Sequence, residues 1–589
     1  MRFLRTPTSK QGNTNTYERK LPMKPLYLSF ALILLCAQVF ASQPTIYGEH
    51  GVVVAHDLEA CEAGIEILKA GGNAVDAAVA VSYALAVTHP QAGNLGGGGF
   101  MMIQMADGRR AALDYREMAP GGASRDMFLD DSGRVVAGKS IRGGLASGVP
   151  GTVAGMQLAL DEYGVLSRKK VMKPAIRLAQ KGFPVPYDLA YSFGWLNQSA
   201  KDFPETRRVF CRNGDLYLPG DIFKQPDLAK TLRLIQKKGN AGFYEGHVAQ
   251  ALVSSSKAHG GAITEDDLIN YLPIVRQPVI GNYRGYEILS MPPPSSGGIA
   301  LISMLNMLEF TTLDSMGWHS AEHIQLLAEI EKRAYADRSV WLGDPDYFDV
   351  PQEKLLSTAY AYLRMNGYSP TSITPSDSIY PLNDSDLDNI EASYESEETT
   401  HFSVVDQWGN AVSVTTTLNW SFGSYVTVEG FGFLLNNEMD DFSSKPGTPN
   451  SFGLIGNEAN AIEPKKRMLS SMTPTIVTKD GEVVLVVGAP GGATIITTVF
   501  QVISNVIDFK MPLQDAVNAP RFHHQWVPDV IQYGPRAIND DTVALLLEMG
   551  YALKVRSAYG EVNAISRDRV FGGWIGAPDY RLSSHGSAY

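Results

Sequence analysis

The alternation of hydrophobic and polar positions between residues 397 and 419 predicts a β-hairpin. Val404 and Val405 end one β-rich run, residues 406–410 supply the turn, and residues 411–418 form a second β-branched run. The preceding segment, residues 369–398, is rich in Ser, Asp, Glu and Pro and poor in large apolar side chains. Because such a segment buries too little apolar surface to join a core, we expect a solvated loop there.

Thr399 stands where this loop meets the first strand. If the peptide bond after Glu398 is cut, Thr399 becomes a chain terminus with a nucleophilic hydroxyl. Its own α-amino group, with a reference pKa near ~8, is then the adjacent base. A Thr-Thr pair taken alone is more often an ordinary polar strand start, so this interpretation depends on the rest of the chain.

The first half of the chain contains two helical patterns followed by a run of glycines. Residues 57–70 predict one helix, and residues 73–87 predict a second that is apolar on all faces and therefore buried on every side. Four glycines at residues 96–99 then lead into a predicted strand at 101–104. A phosphate-binding loop requires the order strand, glycines, helix and a following Lys-Ser/Thr, so we expect close backbone packing instead.

The rest of the chain alternates strands and helices, which indicates an α/β protein. The predicted strands are residues 111–115, 283–289, 430–436, 475–479 and 483–487. The predicted helical segments are residues 151–180, 299–308, 320–337 and 495–507.

Composition narrows the class of protein. The chain has 589 residues, of which 44% are hydrophobic and 19% charged, as in an ordinary globular protein. This length allows several domains or one large α/β unit. The net charge of −12 argues against a nucleic-acid partner.

The N-terminal region resembles a secretory signal peptide. Lysines precede a short apolar run at residues 26–35, and Ala41 follows as a small residue suited to cleavage. The run is too short to span a membrane comfortably, so we expect export to a periplasm or the medium without stable membrane insertion. Either Met1 or Met23 can be the true start.

Two cysteines remain in the expected mature chain, Cys61 and Cys211. Cys61 lies in an apolar helical pattern and is expected to be a buried small hydrophobic residue. The sequence leaves a disulfide between the two open. It contains no CxxC or HExxH spacing, so a zinc site is not expected.

Several long stretches resemble one known family in the same order along the chain: GGNAVDAAVA, THPQAGNLGGGGF, DYREMAP, MPPPSSGG, TTHFSVVD, NNEMDDF, LSSMTPT and GAPGGATIITT. Together they resemble the gamma-glutamyltranspeptidases, from about residue 42 to residue 589. The resemblance implies the N-terminal-nucleophile hydrolase fold, a four-layer αββα sandwich with two stacked, mainly antiparallel sheets.

The resemblance also implies a self-cleaving enzyme. Thr399 attacks the carbonyl of Glu398, and the precursor divides into a large chain, residues 42–398, and a small chain, residues 399–589, which stay together as a heterodimer. The enzyme then transfers the γ-glutamyl group of glutathione or a related amide through a Thr399 ester. Water or the amine of an amino acid or dipeptide accepts the group, and no metal or cofactor takes part.

Site residues follow from the same resemblance, position by position. Thr417 matches the residue that hydrogen-bonds and tunes the nucleophile, and Gly491 and Gly492 match the oxyanion hole. The residues that match the site for the substrate's α-carboxylate are Arg116, Ser470 and Ser471. Those that match the site for its α-ammonium are Asn419, Glu438 and Asp441.

Other interpretations are weaker. His401, His523 and His524 are candidate bases, but the terminal amine already fills that role. A cephalosporin (glutaryl) acylase of the same fold is the nearest alternative, although its acyl group lacks the ammonium that Asp441 would pair with. A cleavage-dead binding protein is disfavoured by the intact Thr399 and Thr417.

Two positions depart from the family pattern. Glu438 stands where some bacterial relatives carry Gln, which adds negative charge near the substrate ammonium. Phe452 lies in a segment, residues 445–456, that resembles the family's lid, and it replaces a Tyr whose hydroxyl bonds the equivalent of Asn419. Without that hydroxyl the lid closes only by packing, so we expect a site that admits more water.

The Phe452→Tyr variant tests this interpretation of the lid. Because the added hydroxyl can tie the lid to Asn419 and exclude water, we expect the ratio of transfer to hydrolysis to rise. The ratio is measured with glycylglycine as acceptor, and an unchanged ratio counts against the interpretation.

Overall fold

The structure, a computed structural model, describes residues 46–212, 215–381, 399–448, 450 and 454–589. The strands are β1 (Ile46–Gly48), β2 (Val52–Ala55), β3 (Gly98–Gln104), β4 (Arg110–Asp114), β5 (Phe183–Pro184), β6 (Ile222–Phe223), β7 (Ile274–Arg276), β8 (Val279–Tyr283), β9 (Tyr286–Ser290), β10 (Thr400–Val405), β11 (Ala411–Thr417), β12 (Thr475–Lys479), β13 (Glu482–Val487), β14 (Phe522–His523), β15 (Ile531–Tyr533), β16 (Leu553–Val555), β17 (Asn563–Arg567), β18 (Trp574–Pro578) and β19 (His585–Ala588).

The helices are α1 (Leu58–Lys69), α2 (Ala74–Thr88), α3 (Thr152–Tyr163), α4 (Arg168–Val171), α5 (Lys173–Lys181), α6 (Tyr187–Ser199), α7 (Pro204–Phe210), α8 (Pro226–Lys238), α9 (Ala241–Tyr244), α10 (Gly246–Ala258), α11 (Glu265–Ile269), α12 (Gly297–Leu308), α13 (Ala321–Trp341), α14 (Gln352–Leu355), α15 (Thr358–Arg364), α16 (Thr494–Ile507), α17 (Leu513–Asn518) and α18 (Asp540–Glu548). Within the described ranges, no helix has the length and apolar character needed to cross a membrane.

Two seven-stranded sheets form the centre of the molecule. Sheet 1 has the order β19-β2-β10-β11-β3-β4-β7, and sheet 2 has the order β1-β18-β17-β13-β12-β9-β8. Neighbouring strands in both sheets run antiparallel. Antiparallel sheets with alternating side chains can bury both faces when each face meets another layer.

Side-chain alternation along the strands shows four layers. Val52 and Val54 of sheet 1 pack with Ile476 and Val486 of sheet 2 in a core between the sheets. Val53 points the other way and packs with α1 and α2, while α12, α13 and α16 cover the outer face of sheet 2. The predicted αββα sandwich is therefore confirmed.

The predicted hairpin is present as β10 and β11 at the centre of sheet 1. Its register pairs Thr400 with Thr416 and Val405 with Ala411, and β2 and β3 flank the hairpin on either side. Residues 406–410 form the turn, as predicted. A strand pair in the middle of a sheet is held by hydrogen bonds on both edges, so its register is strongly specified.

Two predicted strands differ from the structure. Residues 430–436 form no strand, because Gly430 and Gly432 adopt positive φ angles of 73° and 71° that turn the chain, and only single bridges at Leu434 and Leu435 remain. The predicted strand at residues 283–289 is two strands, β8 and β9. Arg284 and Gly285, with φ angles of 52° and 79°, form the turn between them.

The segment predicted to be a solvated loop is partly packed. Ile379 is buried, the carbonyl of Thr374 accepts from the Lys332 ammonium at 2.5 Å, and the carbonyl of Ser376 accepts from the Trp526 indole at 2.8 Å. These bonds anchor residues 369–381 to the core, a contact that composition did not reveal. Residues 382–398, including Glu398, lie outside the described residues, as do residues 1–45 and Phe452.

Cys61 and Cys211 are both buried and their thiols are free. Burial raises the pKa of the Cys61 thiol well above its usual value, as expected of a small residue in an apolar core.

The glycine run packs closely against the hairpin formed by β10 and β11. A Cβ atom at Gly97 would lie 2.2 Å from the carbonyl oxygen of Thr417, and one at Gly99 would lie 2.5 Å from that of Thr415. Only a residue without a side chain allows the backbones to approach this closely. The expectation of close backbone packing is confirmed.

Replacing Gly97 by Ala should destabilise the protein by about 1–3 kcal/mol, since the clash is with backbone that cannot move aside. The thermal unfolding midpoint of Gly97→Ala measures the loss. Gly122→Ala is the matched control, because Gly122 is exposed and the nearest atom to its added Cβ is 4.0 Å away. Equal midpoints for the two variants would show that the contact is not tight.

Candidate active site

Strand alternation places Thr399 and Thr417 on the same face of sheet 1. In β10 and β11, the side chains of Val405 and Ala411 point into the core between the sheets. Thr399 and Thr417 each lie six positions away from one of them, and an even number of positions along a strand returns to the same face. Because Thr400 pairs with Thr416, the next step of the register sets Thr399 opposite Thr417. Both threonines therefore face sheet 2 at the end of the hairpin.

Asn94 holds this end of the hairpin in place. Its amide nitrogen donates to the Thr417 carbonyl at 2.8 Å and to the Thr416 hydroxyl at 3.2 Å, and its amide oxygen accepts from Gly97 N at 3.0 Å. Asn94 is buried. Asn94 was not among the predicted site residues, although a polar residue inside a buried glycine run was a usable signal.

Thr399 and Thr417 line a cleft between the two sheets. The described residues that line it are Arg116, Arg338, Thr399, Thr417, Asn419, Glu438, Asp441, Phe442, Ser443, Thr448, Asn450, Leu454, Ile455, Gly456, Asn460, Leu469, Ser470, Ser471, Met472, Gly492 and Ile495. The cleft thus brings together the predicted nucleophile, its partner threonine and every residue predicted to bind the substrate head.

Arg116 is the centre of a buried charge cluster on one wall. The residue follows β4 and is 1% exposed. Its Nη1 lies 2.7 Å from a carboxylate oxygen of Glu438 and 3.7 Å from one of Glu117, and its Nη2 pairs with Asp441. Its Nε donates to the Met468 carbonyl at 3.3 Å. One guanidinium therefore serves three carboxyl groups.

Burial sets the protonation of this cluster. It raises the pKa of Glu438 well above its usual value and that of Asp441 less strongly, while the positive charge of Arg116 acts in the opposite direction. Burial also raises the pKa of Glu117 to about 8, again against Arg116. Burial therefore shifts all three carboxyl groups toward the protonated form, relative to the same side chains in water.

Ser470 and Ser471 also line the cleft. Ser470 N donates to the Pro294 carbonyl at 2.9 Å, and Ser470 O accepts from Ser296 N at 2.7 Å, so the MPPPSSGG segment fixes the serine pair. The Ser471 hydroxyl accepts from Arg338 Nη2 at 3.1 Å. Arg338 lies on α13 and was not among the predicted site residues, because its distance in sequence hides this contact.

Asn419 lies just beyond the hairpin with a positive φ of 75°. Its backbone N donates to the Thr417 hydroxyl at 2.7 Å, and its side-chain amide donates to the Asn437 carbonyl at 3.0 Å. The turn thus brings the amide group and the Thr417 hydroxyl to the same wall of the cleft.

Gly491 and Gly492 lie between β13 and α16. Their φ angles of 128° and 53° belong to a region that glycine adopts without strain, and Gly492 lines the cleft. The Gly491 carbonyl accepts from the Thr494 hydroxyl at 2.8 Å and from Thr494 N at 3.0 Å, which holds the glycine loop against the first turn of α16. The hydroxyl of Tyr335 on α13 donates to the Ala493 carbonyl and fixes this loop from behind.

The three candidate histidines are buried and do not line the described part of the cleft. His401 Nδ1 lies 2.9 Å from the Thr415 hydroxyl, and burial lowers its pKa to about 3. His523 Nδ1 lies 2.9 Å from the Thr497 hydroxyl, and His524 Nε2 lies 3.0 Å from an Asp529 carboxylate oxygen. These rings fill structural positions.

Comparison with known proteins decides the family. The family model described as gamma-glutamyltranspeptidase matches residues 60–589. The chain belongs to the gamma-glutamyltranspeptidase family. The resemblance found in the sequence motifs is thereby confirmed over nearly the whole described chain.

Individual relatives agree with this assignment. The chain is 48% identical over 523 residues to the glutathione hydrolase proenzyme of Escherichia coli K12, covering 88% of each protein. It is 36% identical to the acylase ACY 1 proenzyme of Pseudomonas sp. SE83, covering 88% of this chain and 90% of that one. The crystal structure of cephalosporin acylase from Bacillus halodurans superposes with a TM-score of 0.82 at 26% identity, covering 93% of this chain and 97% of that chain.

The gamma-glutamyltranspeptidase assignment explains why motifs far apart in sequence meet in one cleft. Arg116 comes from the DYREMAP stretch, Asp441 from NNEMDDF, Ser470 from LSSMTPT and Gly492 from GAPGGATIITT. DYREMAP begins at the last residue of β4 and GAPGGATIITT follows β13, whereas LSSMTPT leads into β12 and NNEMDDF lies in the long connection between β11 and β12. Strand ends and connecting loops therefore meet in the cleft.

The buried Glu117 should make stability depend on pH. The unfolded chain releases the Glu117 proton above about pH 4.5, whereas the folded protein keeps it up to about pH 8. The free energy of unfolding therefore decreases as the pH rises from about 4.5 to about 8. In Glu117→Gln this loss is absent. We expect the wild-type thermal midpoint to fall more steeply than that of Glu117→Gln between about pH 5 and pH 8.

Scanning calorimetry across this range measures the difference. Glu353→Gln is the control, because Glu353 is exposed and changes charge without changing a buried group. Parallel midpoint curves for wild type and Glu117→Gln would contradict the assignment of a proton to Glu117.

Proposed function

We propose that the protein is a self-processing γ-glutamyltransferase and glutathione hydrolase. The observation that supports this most directly is the position of Thr399. It lies immediately before β10, opposite Thr417, in a cleft that also contains a buried arginine and two acidic side chains. A nucleophile beside groups of both charges suits a substrate that carries both a carboxylate and an ammonium.

Processing begins with the uncut chain. The Thr399 hydroxyl oxygen attacks the carbonyl carbon of Glu398, the peptide C–N bond breaks, and the nitrogen takes a proton to become the free α-amino group of Thr399. Water then hydrolyses the ester and releases the Glu398 carboxylate. The products are a large chain ending at Glu398 and a small chain, residues 399–589, that stays bound through the shared sheets.

Catalysis uses the amine that processing creates. The α-amino group accepts the Thr399 hydroxyl proton as the oxygen attacks the γ-carbonyl carbon of the substrate. Backbone N–H groups of Gly491 and Gly492 stabilise the oxyanion, and one such donor is worth about 3–4 kcal/mol of barrier. The C–N bond of the amide breaks, the leaving amine takes the proton, and a γ-glutamyl ester remains on Thr399.

The ester is released by a second attack on the same carbon. Water gives glutamate, while the amine of an amino acid or dipeptide gives a new γ-glutamyl amide. In each case the α-amino group of Thr399 takes a proton from the acceptor, and the Thr399 oxygen leaves as a hydroxyl. Thr417 supports both steps by its hydrogen bond to the nucleophile.

The substrate head binds by replacing an ion pair within the protein. Its α-carboxylate binds Arg116 and the hydroxyls of Ser470 and Ser471. Its ammonium binds Asp441, Asn419 and Glu438. Arg116 and Asp441 pair with each other in this structure. A zwitterion that inserts between them replaces one buried ion pair by two, which limits the cost of desolvating the substrate.

The acylase alternative is weaker for a chemical reason. A glutaryl group has no α-ammonium, so it would leave Asp441 without a cationic partner in the substrate. The acylase relative is also less similar, at 36% identity against 48% for the glutathione hydrolase proenzyme. Export remains part of the proposal, with the signal peptide cleaved after Ala41.

Replacing the nucleophile tests the proposal. In Thr399→Ala the hydroxyl is gone, so the chain should stay in one piece and release of p-nitroaniline from γ-glutamyl-p-nitroanilide should fall to background. Thr399→Ser keeps an oxygen at the same position and should retain both activities at a reduced rate. Mass spectrometry reports the cut, and absorbance reports turnover.

Turnover of glutaryl-p-nitroanilide by the unaltered protein separates the two functions. We expect the γ-glutamyl substrate to be preferred by at least about 10-fold in kcat/KM, because the glutaryl group has no ammonium to pair with Asp441. Preference for the glutaryl substrate would support the acylase. A two-piece Thr399→Ala variant would contradict self-cleavage.

A further inference from the structure

Arg338 contacts both serine segments of the cleft. It lies on α13, is 5% exposed and lines the cleft. Its Nε donates to the Ser296 hydroxyl at 2.9 Å, and its Nη2 donates to the Ser471 hydroxyl at 3.1 Å. One side chain therefore bridges the MPPPSSGG and LSSMTPT segments.

These contacts determine which way the hydroxyl protons point. A guanidinium group can only donate, so the Ser296 and Ser471 oxygens must both accept from Arg338. The Ser296 hydroxyl gives its own proton to the Ser470 carbonyl at 2.6 Å. The Ser471 hydroxyl keeps its proton for an acceptor in the cleft that it lines.

Ser470 is oriented in the same sense by a different donor. Its hydroxyl oxygen accepts from Met472 N at 3.1 Å, so its proton is also left for an acceptor in the cleft. Two adjacent hydroxyls that are both fixed as donors match the two oxygens of a carboxylate. Arg116 alone attracts a carboxylate less strongly, because its positive charge is already paired with Glu438 and Asp441.

We infer that Arg338 is a positioning residue for the substrate's α-carboxylate and acts through Ser471. It holds the serine hydroxyl in the donor orientation before the substrate arrives, and it adds a second positive charge behind the carboxylate. The inference rests on the proposed function, since it assigns the region around Ser470 and Ser471 to the α-carboxylate of a γ-glutamyl head. It concerns binding of the head group and not the attack by Thr399.

Steady-state kinetics of Arg338→Gln with γ-glutamyl-p-nitroanilide test the inference. Because oriented, charge-supported hydrogen bonds to the carboxylate are lost, KM and the inhibition constant of L-glutamate should each rise by roughly 10-fold or more. The kcat should change little. The inhibition constant of 4-aminobutyrate, which has the ammonium but no α-carboxylate, should stay the same.

Arg364→Gln is the matched control for a general loosening of α13. Arg364 donates to the carbonyl of Arg333 on α13 at 2.7 Å, and Arg364 is not among the residues that line the cleft. The Arg364→Gln variant should leave both inhibition constants unchanged. Arg338→Lys keeps a charge but not the planar fork, so its effect should lie between those of wild type and Arg338→Gln.

A double-mutant cycle shows whether Arg338 acts through Ser471. The Arg338→Gln substitution should cost clearly less in a Ser471→Ala background than in the wild type, because the hydroxyl that it orients is already absent. If Arg338→Gln does not fold, Arg338→Lys takes its place in the cycle. Ser296→Ala should raise KM in the same direction by a smaller factor.

The outcomes separate the two levels of inference. Equal rises for L-glutamate and 4-aminobutyrate, or full additivity in the cycle, overturn the role of Arg338 while the proposed function stands. If the unaltered protein does not release p-nitroaniline from the γ-glutamyl substrate, the proposed function fails and the inference fails with it.

Discussion

The antiparallel pairing of β10 with β11 is the constraint on which the active cleft depends. The pair lies in the middle of sheet 1, so hydrogen bonds to β2 and β3 on both edges fix its register. A slip by one residue would turn the side chains of Thr399 and Thr417 to opposite faces. The glycines of β3 strengthen this constraint, because they let neighbouring backbone pack against the end of β11 without side chains between.

The second fixed element is α13, which crosses the outer side of sheet 2. Tyr335 holds the loop that carries Gly491 and Gly492, and Arg338, about one turn later, holds Ser471. One helix therefore contacts both the loop of Gly491 and Gly492 and the serine pair. The same helix also binds the segment that ends at residue 381, through Lys332 and Thr374.

Burial gives the charged cluster its character. Arg116 has no access to water that could screen it, and three carboxyl groups compete for its five N–H donors. Burial disfavours the charged form of the carboxyl groups, so the pKa values of Glu117, Glu438 and Asp441 all rise although the charge of Arg116 acts in the opposite direction. The substrate that we propose is a zwitterion, which would bring one charge of each sign to this cluster.

The sequence by itself determined the central hairpin, the buried helix α2, the strand pair around Asp480 and the motifs that name the family. These follow from local rules, namely side-chain periodicity, turn residues and contiguous motifs. Two segments show where the predictions from sequence were wrong, one decided by a turn and the other by packing against distant residues. The strand expected at residues 430–436 is broken by two glycines with positive φ, and the segment around Ser376 is packed despite its polar composition.

The positions of Asn94, Tyr335, Ser296 and Arg338 around the cleft became visible only in the tertiary structure. Their roles depend on which carbonyl or hydroxyl lies within hydrogen-bond distance, and those partners are far away along the chain. Sequence patterns record which face of a strand or helix is buried. They do not record which other element covers that face, because packing between layers is decided by the whole chain at once.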